Sequence, residues 1–208
     1  MKSILEFLME VNTLKDVVRK GITFYGVKKP PNALDHTFRT TMMVWVFGSE
    51  RKVNIEKALK MALIHDICKI YAGDITPYDG LLPKSKKKRD EFFREWPPRA
   101  SSGVKRKRYA EKIKKERQAL EKLTKKLPAK LKKEIMELWQ DYETGSSKEG
   151  RFIRQLDRAE NLLEAFECWK KDKKFPTRPW WEHADEVIDD PVLLRFLKEI
   201  EKEELKTK

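Results

Sequence analysis

The chain has few cysteines and no long apolar run. Of its 208 residues only Cys68 and Cys168 are cysteines, which argues against a disulfide scaffold and predicts a reducing compartment, the cytoplasm. No window approaches about 18 apolar residues without charge, so we expect no transmembrane helix and no membrane partner. We also expect no signal peptide, because Glu6 interrupts the short apolar run from Met1 to Leu8.

Side-chain amides are scarce as well. The chain holds four Asn and three Gln against 47 Lys+Arg and 34 Asp+Glu. Such a balance is expected where high temperature selects against deamidation and favours surface ion pairs. The composition therefore predicts a thermophilic source.

Positive charge is in clear excess, with a formal net charge of +13. A chain this basic favours anionic partners such as phosphates, nucleotides, nucleic acid or an anionic surface. Hydrophobic residues make up 39% of the chain, which is enough for a sizeable core. The length predicts a single domain over residues 1–208.

Apolar residues recur at helical spacing through most of the chain, and no strand pair is recognisable. We therefore predict an all-α protein. The helix over 34–47 becomes apolar all round, which predicts a central, buried helix. Before the last helix we expect a tryptophan-rich polar loop that exposes His183. The predicted helices cover residues 3–18, 34–47, 55–71, 106–126, 128–142, 147–170 and 191–202.

Residues 84–108 differ from the rest of the chain, with eleven Lys+Arg against three Asp+Glu. We predict a basic insertion there, with a short helix near 88–95 and a flexible hinge around 97–104. Aromatic residues among cations are typical of surfaces that bind single-stranded nucleic acid. Basic runs also occur in targeting signals, and most charge runs are solvated faces, here with aromatics that could pack on a dimer partner. The interleaved aromatic residues are Phe92, Phe93, Trp96 and Tyr109.

The segment ALIHDICKIYAGD, residues 62–74, places His65 beside Asp66 in an apolar helix pattern. Neighbours on a helix differ by about 100° in direction, so both side chains can reach one point beside the helix. A divalent metal at that point would compensate two groups that are costly to dehydrate. Imidazole with carboxylate suits Mn, Fe, Co, Ni or Zn better than Ca. Ordinary hydrogen bonds between helix neighbours are the alternative explanation.

Two further residues bear on this metal hypothesis. His36 lies in the other strongly apolar helix, 29 residues before His65. Asp157 lies in the helical segment FIRQLDRAENLLEAF. It is either a buried metal ligand or a solvated acidic residue beside Arg154 and Arg158.

Five segments, in their order along the chain, resemble the HD-domain metal-dependent phosphohydrolases. The similarity is greatest to the small 5′-deoxynucleotidases, which remove phosphate from deoxynucleoside monophosphates. The family fold is a compact helical bundle and its members often form dimers, so the resemblance implies this fold and a homodimer. The segments are LKDVVRKG (14–21), ALDHTFRTTMM (33–43), ALIHDICKIYAGDITPYD (62–79), LWQDYETGSS (138–147) and RQLDRAENLLEA (154–165).

The resemblance also assigns roles to individual residues. Asp74 would lie near the sugar of a nucleoside monophosphate, and Arg19, or Lys20 in its place, would face the phosphate. The cofactor would be a divalent transition metal (Mn, Co, Fe, Ni or Zn), with Mg as a further candidate, and it would activate water for hydrolysis. The implied metal ligands are His36, His65, Asp66 and Asp157.

One position departs from the family pattern. The fourth residue after the HD histidine is usually a glutamate that is thought to orient or activate the attacking water, but this chain has Lys69. A lysine serves as a base only where its pKa is strongly depressed; otherwise it binds a phosphate oxygen or extends to the surface. Three outcomes stay open: a slower enzyme, an enzyme whose base is another residue such as Asp74, or an impaired scaffold that binds nucleotide or single-stranded nucleic acid.

Overall fold

The computed structural model confirms the all-α class. The residues that it describes form helices and no β-strand, with one isolated bridge between Val18 and Asn32. None of these helices combines the length and the apolar character that a membrane crossing requires. The structure describes residues 1–49, 51–76, 79, 83, 85, 88, 91–92 and 102–206. In chain order the helices are α1 (Lys2–Val11), a 3₁₀ helix (Asn12–Asp16), α2 (Lys20–Thr23), α3 (Ala33–Gly48), α4 (Ile55–Ile64), α5 (Lys69–Ala72), α6 (Ser102–Leu123), α7 (Ala129–Thr144), α8 (Lys148–Lys171), α9 (Arg178–Val187) and α10 (Pro191–Leu205).

The chain divides into two compact units, of which the first comprises residues 1–34 and 66–132. The helix predicted over 3–18 is shorter, because the backbone passes from α1 into the 3₁₀ helix and becomes extended at Val17. The N–H of Ala33 donates to the Val17 carbonyl at 2.8 Å and holds this extended stretch in place. As a result, Arg19 stands at the start of α2, at its N-cap position.

The second unit comprises residues 35–65 and 133–208. Its central element is α8, against which α4, α9 and α10 pack. Ser147 caps the start of α8, since its hydroxyl accepts the N–H of Gly150 at 3.0 Å. The apolar positions that α8 buries include Phe152, Ile153, Leu156, Ala159 and Leu162.

The single helix predicted over 55–71 is wrong in one respect: it is broken at the HD dipeptide. α4 ends at Ile64, a turn follows over residues 65–68, and α5 begins at Lys69. In this turn the N–H of Lys69 donates to the carbonyl of Asp66 at 3.0 Å, a short-range bond that tightens the chain. Gly73 ends α5, with a left-handed φ of 72°.

Two further expectations need correction. The tryptophan-rich loop is in fact α9, which has a proline at its start; proline there favours a helix rather than ending one. Part of the predicted hinge is helical, because α6 already begins at Ser102. Apart from residues 88, 91 and 92, the short helix expected near 88–95 lies outside the described residues, as does the hinge before Ser102.

Candidate active site

The second unit brings two buried histidines together. His36 lies in the first turns of α3, and His65 caps the end of α4. Their Nε2 atoms lie 3.2 Å apart. The Nδ1 of His65 lies 2.6 Å from the carbonyl of Ala62, and because a carbonyl only accepts, this contact assigns the ring hydrogen to Nδ1 and the lone pair to Nε2.

Asp157 of α8 reaches the same histidines. Its Oδ1 lies 3.1 Å from Nε2 of His36, and Tyr142 donates its hydroxyl to the other oxygen at 3.0 Å. Burial raises the pKa of Asp157, but neighbouring positive charge, chiefly that of Arg158, outweighs burial and holds that pKa well below its usual range. The solvated position considered for Asp157 is therefore wrong: the carboxylate is buried.

Two residues that the sequence interpretation missed complete this arrangement. Glu160 is fully buried and its Oε2 contacts Nδ1 of His36. Arg39 donates to the other carboxylate oxygen of Glu160 at 2.8 Å. Arg39 stands three positions after His36, and Glu160 stands three positions after Asp157. This helical spacing was a signal that could have pointed to both residues from the sequence.

The second unit thus offers a cation site built from nitrogen and oxygen acceptors. Because Glu160 accepts the ring hydrogen of His36 at Nδ1, as the Ala62 carbonyl does for His65, both Nε2 atoms carry a lone pair. Nε2 of His36 lies 3.2 Å from Nε2 of His65 and 3.1 Å from Oδ1 of Asp157, so three acceptors meet around this atom. Three converging acceptors repel one another unless a positive charge lies among them. Their chemistry fits a divalent transition metal.

Asp66, which follows His65 in the chain, is the first residue of the second segment of the first unit. Its side chain is buried, and Oδ2 lies 2.9 Å from Nζ of Lys69 and 3.7 Å from Nη1 of Arg19. Two basic side chains therefore converge on one carboxylate. This density of charge is suited to an anionic substrate.

Lys69 does not extend to the surface, so that alternative is wrong. Its ammonium is buried between Asp66, at 2.9 Å, and Asp74, at 2.8 Å. Burial lowers the pKa of Lys69, but attraction by the two carboxylates outweighs burial and leaves that pKa above its ordinary value. Lys69 is consequently a cation at neutral pH and cannot serve as the general base.

Asp74 is held from two sides within the first unit. Lys69 contacts one oxygen, and the backbone N–H of Lys20 donates to the other at 2.8 Å. Burial raises the pKa of Asp74, but attraction by Lys69 and Arg19 outweighs burial and lowers that pKa. The Lys20 ammonium instead lies 3.2 Å from Asp79 in an exposed pair, so Arg19 is the better placed of the two candidate phosphate ligands.

His183 takes no part in these arrangements. It lies on α9 rather than in a loop, and its side chain is exposed as predicted.

Comparison with known proteins identifies the family. The family model described as HD domain matches residues 11–95 and 100–184. The chain belongs to the HD domain family. The 5′-deoxynucleotidase HDDC2 of Homo sapiens is 31% identical to this HD protein over 204 residues, which cover 97% of this chain and 86% of the human one. The 5′-deoxynucleotidase hdd1 of Schizosaccharomyces pombe is 27% identical and covers 95% of this chain, with 88% of its own length matched.

Solved structures share the fold of the HD protein. A predicted metal-dependent phosphohydrolase from Magnetospirillum magnetotacticum MS-1 superposes with a TM-score of 0.68 at 23% identity, over 99% of this chain and 95% of the other. The PH0347 protein of Pyrococcus horikoshii OT3 superposes with a TM-score of 0.65 at 25% identity, over 98% of this chain and 99% of the other. The predicted family is confirmed: the chain is a hydrolase of the metal-dependent HD phosphohydrolase family.

Proposed function

We propose that this HD hydrolase removes the 5′-phosphate from deoxynucleoside monophosphates. The buried contacts of His36 with His65 and with Asp157 carry the proposal, because they bring two imidazoles and a carboxylate together as a metal would require. The substrate class is supported by relatives named 5′-deoxynucleotidase, of which the human protein aligns with 97% of this chain.

The metal ligands in this proposal are the four that the family resemblance implies. His36, His65 and Asp157 supply two nitrogens and one oxygen from the second unit, and Asp66 follows His65 by one peptide bond. A set of two imidazoles and two carboxylates favours Mn, Fe, Co, Ni or Zn, and Mg less strongly. When bound, the metal would lower the pKa of water and neutralise charge on the phosphoryl group.

Three residues of the first unit act on the substrate in this proposal. Arg19 and Lys69 are buried cations beside Asp66, and they would bind phosphate oxygens as charge develops. Asp74 is ionised and sits against Lys69. It is the acidic residue placed to accept a hydrogen bond from the sugar or from the attacking water, in place of the usual glutamate.

Phosphate release from a panel of deoxynucleoside monophosphates, with Mn²⁺ or Co²⁺, tests the proposal. Wild type should release phosphate, and Arg19→Gln should lower kcat/KM about 10- to 100-fold, because a charge-assisted contact to phosphate is lost. Arg117→Gln removes an exposed arginine that pairs with Glu121 one helical turn away and should leave kcat/KM unchanged. Wild type that is inert while Lys69→Glu is active would refute the proposal.

A homodimer is the oligomeric state we propose. After Asp35, four apolar side chains on α3 are exposed, and the one arginine of this lysine-free helix, Arg39, contacts Glu160. In a chain of net charge +13, two copies associate most readily through an uncharged surface. Light scattering should show a dimer for wild type and a monomer for Trp45→Lys; a wild-type monomer would contradict this. The exposed residues are Phe38, Met42, Trp45 and Val46.

Binding of single-stranded nucleic acid stays a prediction. Of the aromatic residues that it invoked, Tyr109 is exposed on α6, whereas Phe93 and Trp96 lie outside the described residues. Binding of labelled single-stranded DNA at two salt concentrations tests it, since phosphate contacts weaken as salt rises. No measurable affinity at low salt would end this hypothesis.

A further inference from the structure

Glu160 is a buried carboxylate that lies beside the metal centre without being one of its ligands. The side chain is completely buried, although a carboxylate is costly to remove from water unless its oxygens are hydrogen-bonded. Each oxygen has a different partner: Oε2 contacts Nδ1 of His36, and Oε1 accepts from Nε and Nη2 of Arg39, each at 2.8 Å.

The two helices present matched pairs at this point. α3 carries His36 and Arg39, three residues apart, and α8 carries Asp157 and Glu160, also three apart. The imidazole of His36 is therefore held on both sides, with Asp157 at Nε2 and Glu160 at Nδ1. An ionised carboxylate only accepts hydrogen bonds, and Glu160 lies closer to Nδ1 than Asp157 lies to Nε2. The contact with Glu160 therefore keeps the ring hydrogen on Nδ1 and the lone pair on Nε2.

We infer that Glu160 is a positioning residue, which fixes the tautomer and the ring orientation of His36 for metal binding, and that Arg39 holds the Glu160 side chain in this position. The inference rests on the metal centre proposed above. Carboxylates that accept the second ring hydrogen of a metal-ligating histidine make the ligand more basic and pre-orient it. Arg39 also donates to Glu167 at 2.7 Å, but that glutamate is about half exposed, so Glu167 should contribute little.

Metal titration of the chelator-stripped protein tests this inference. Wild type should bind Mn²⁺, and Glu160→Gln should bind it about 10- to 100-fold more weakly. An amide has a single acceptor oxygen, so glutamine cannot satisfy both His36 and Arg39. Glu167→Gln is the matched control and should bind Mn²⁺ like wild type. Nitrogen-15 spectra of the metal-free protein should show one tautomer of His36 in wild type and a mixture in Glu160→Gln.

The outcomes separate the two proposals. Wild type that binds no Mn²⁺ would refute the metal centre itself. Wild type that binds Mn²⁺ as tightly as Glu160→Gln would refute only the role of Glu160. Should Glu160→Gln fail to fold, Arg39→Lys carries the test: it keeps the charge but loses the two-nitrogen contact with Glu160, so several-fold weaker binding supports the inference and unchanged binding overturns it.

Discussion

The ammonium of Lys69 lies 2.9 Å from Oδ2 of Asp66, and both side chains are buried. Lys69 thus stands as a fixed cation where related phosphohydrolases usually carry an acid. Removing one partner of a buried ion pair leaves an uncompensated charge, so this pair is expected to matter for stability as well as for activity.

Lys69→Met should therefore destabilise the protein and slow phosphate release. The substitution leaves Asp66 and Asp74 without their shared cation, at an expected cost of about 3–5 kcal/mol in the free energy of unfolding. Urea denaturation measures that loss. Lys60→Met is the control, because Lys60 forms exposed pairs with Glu56 and Glu134, and its loss should change the midpoint little. Equal midpoints for the two variants would count against a buried, structural Lys69.

The buried pair of Lys69 and Asp74 should stabilise the folded protein by an amount that depends on pH. The folded-state pKa of Asp74 is lowered, so its contribution is complete above roughly pH 4 and is lost as pH falls through the folded value. The pKa of Lys69 is raised, so its contribution is complete below roughly pH 10 and is lost at still higher pH. Between these limits the free energy of unfolding of wild type should exceed that of Asp74→Asn by a constant amount. The gap should narrow as pH falls below about 4, and a gap that stays constant as the pH is lowered further would contradict this assignment.

Gly150 is expected to tolerate no side chain. A Cβ at this position would lie 2.6 Å from both the carbonyl oxygen and Oδ1 of Asp141, and Asp141 is held by Lys57 and Ser147. Gly150→Ala should lower the free energy of unfolding by about 1–3 kcal/mol, measured by urea denaturation. Gly103→Ala is the control, since nothing lies within 4 Å of the added carbon. Equal changes in the free energy of unfolding for both substitutions would show that Asp141 moves to make room, and would contradict this prediction.

The amide-poor, charge-rich composition predicts a high melting temperature. The described surface includes ion pairs one helical turn apart, such as Arg117 with Glu121 and Arg178 with Glu182, and networks of such pairs gain value at high temperature. Calorimetry should place the midpoint above about 65 °C, the upper end of the range for mesophile domains. A midpoint near 50 °C would make the thermophilic source untenable.

Much of the fold could be predicted because its signals are local. The cap at Ser147 and the long apolar period of α8 are both readable from neighbouring residues. The break in the helix at His65 could not be predicted in this way. It depends on the contact of the His65 side chain with the Ala62 carbonyl and on the hydrogen bond from the N–H of Lys69 to the Asp66 carbonyl. A single apolar period runs through both elements, so periodicity alone joins them into one helix.

The sequence pointed to His36, His65 and Asp157 as candidate ligands, but not to the residues that contact them. His36 stands out because histidine is rare in an apolar helix. Glu160 and Arg39 look like solvated charges, which is what most helical Glu and Arg residues are. Only the packing of α3 on the residues of α8 reveals that Glu160 is buried and that Arg39 contacts it.

Anomalous diffraction from crystals soaked in Mn²⁺ tests the central claim most directly. The expected result is one strong peak per chain, at bonding distance from Nε2 of His36, Nε2 of His65 and a carboxylate oxygen of Asp157, with Asp66 as the fourth ligand. A map without a peak among these side chains, or with the two imidazoles turned away from each other in the soaked crystal, would contradict the account.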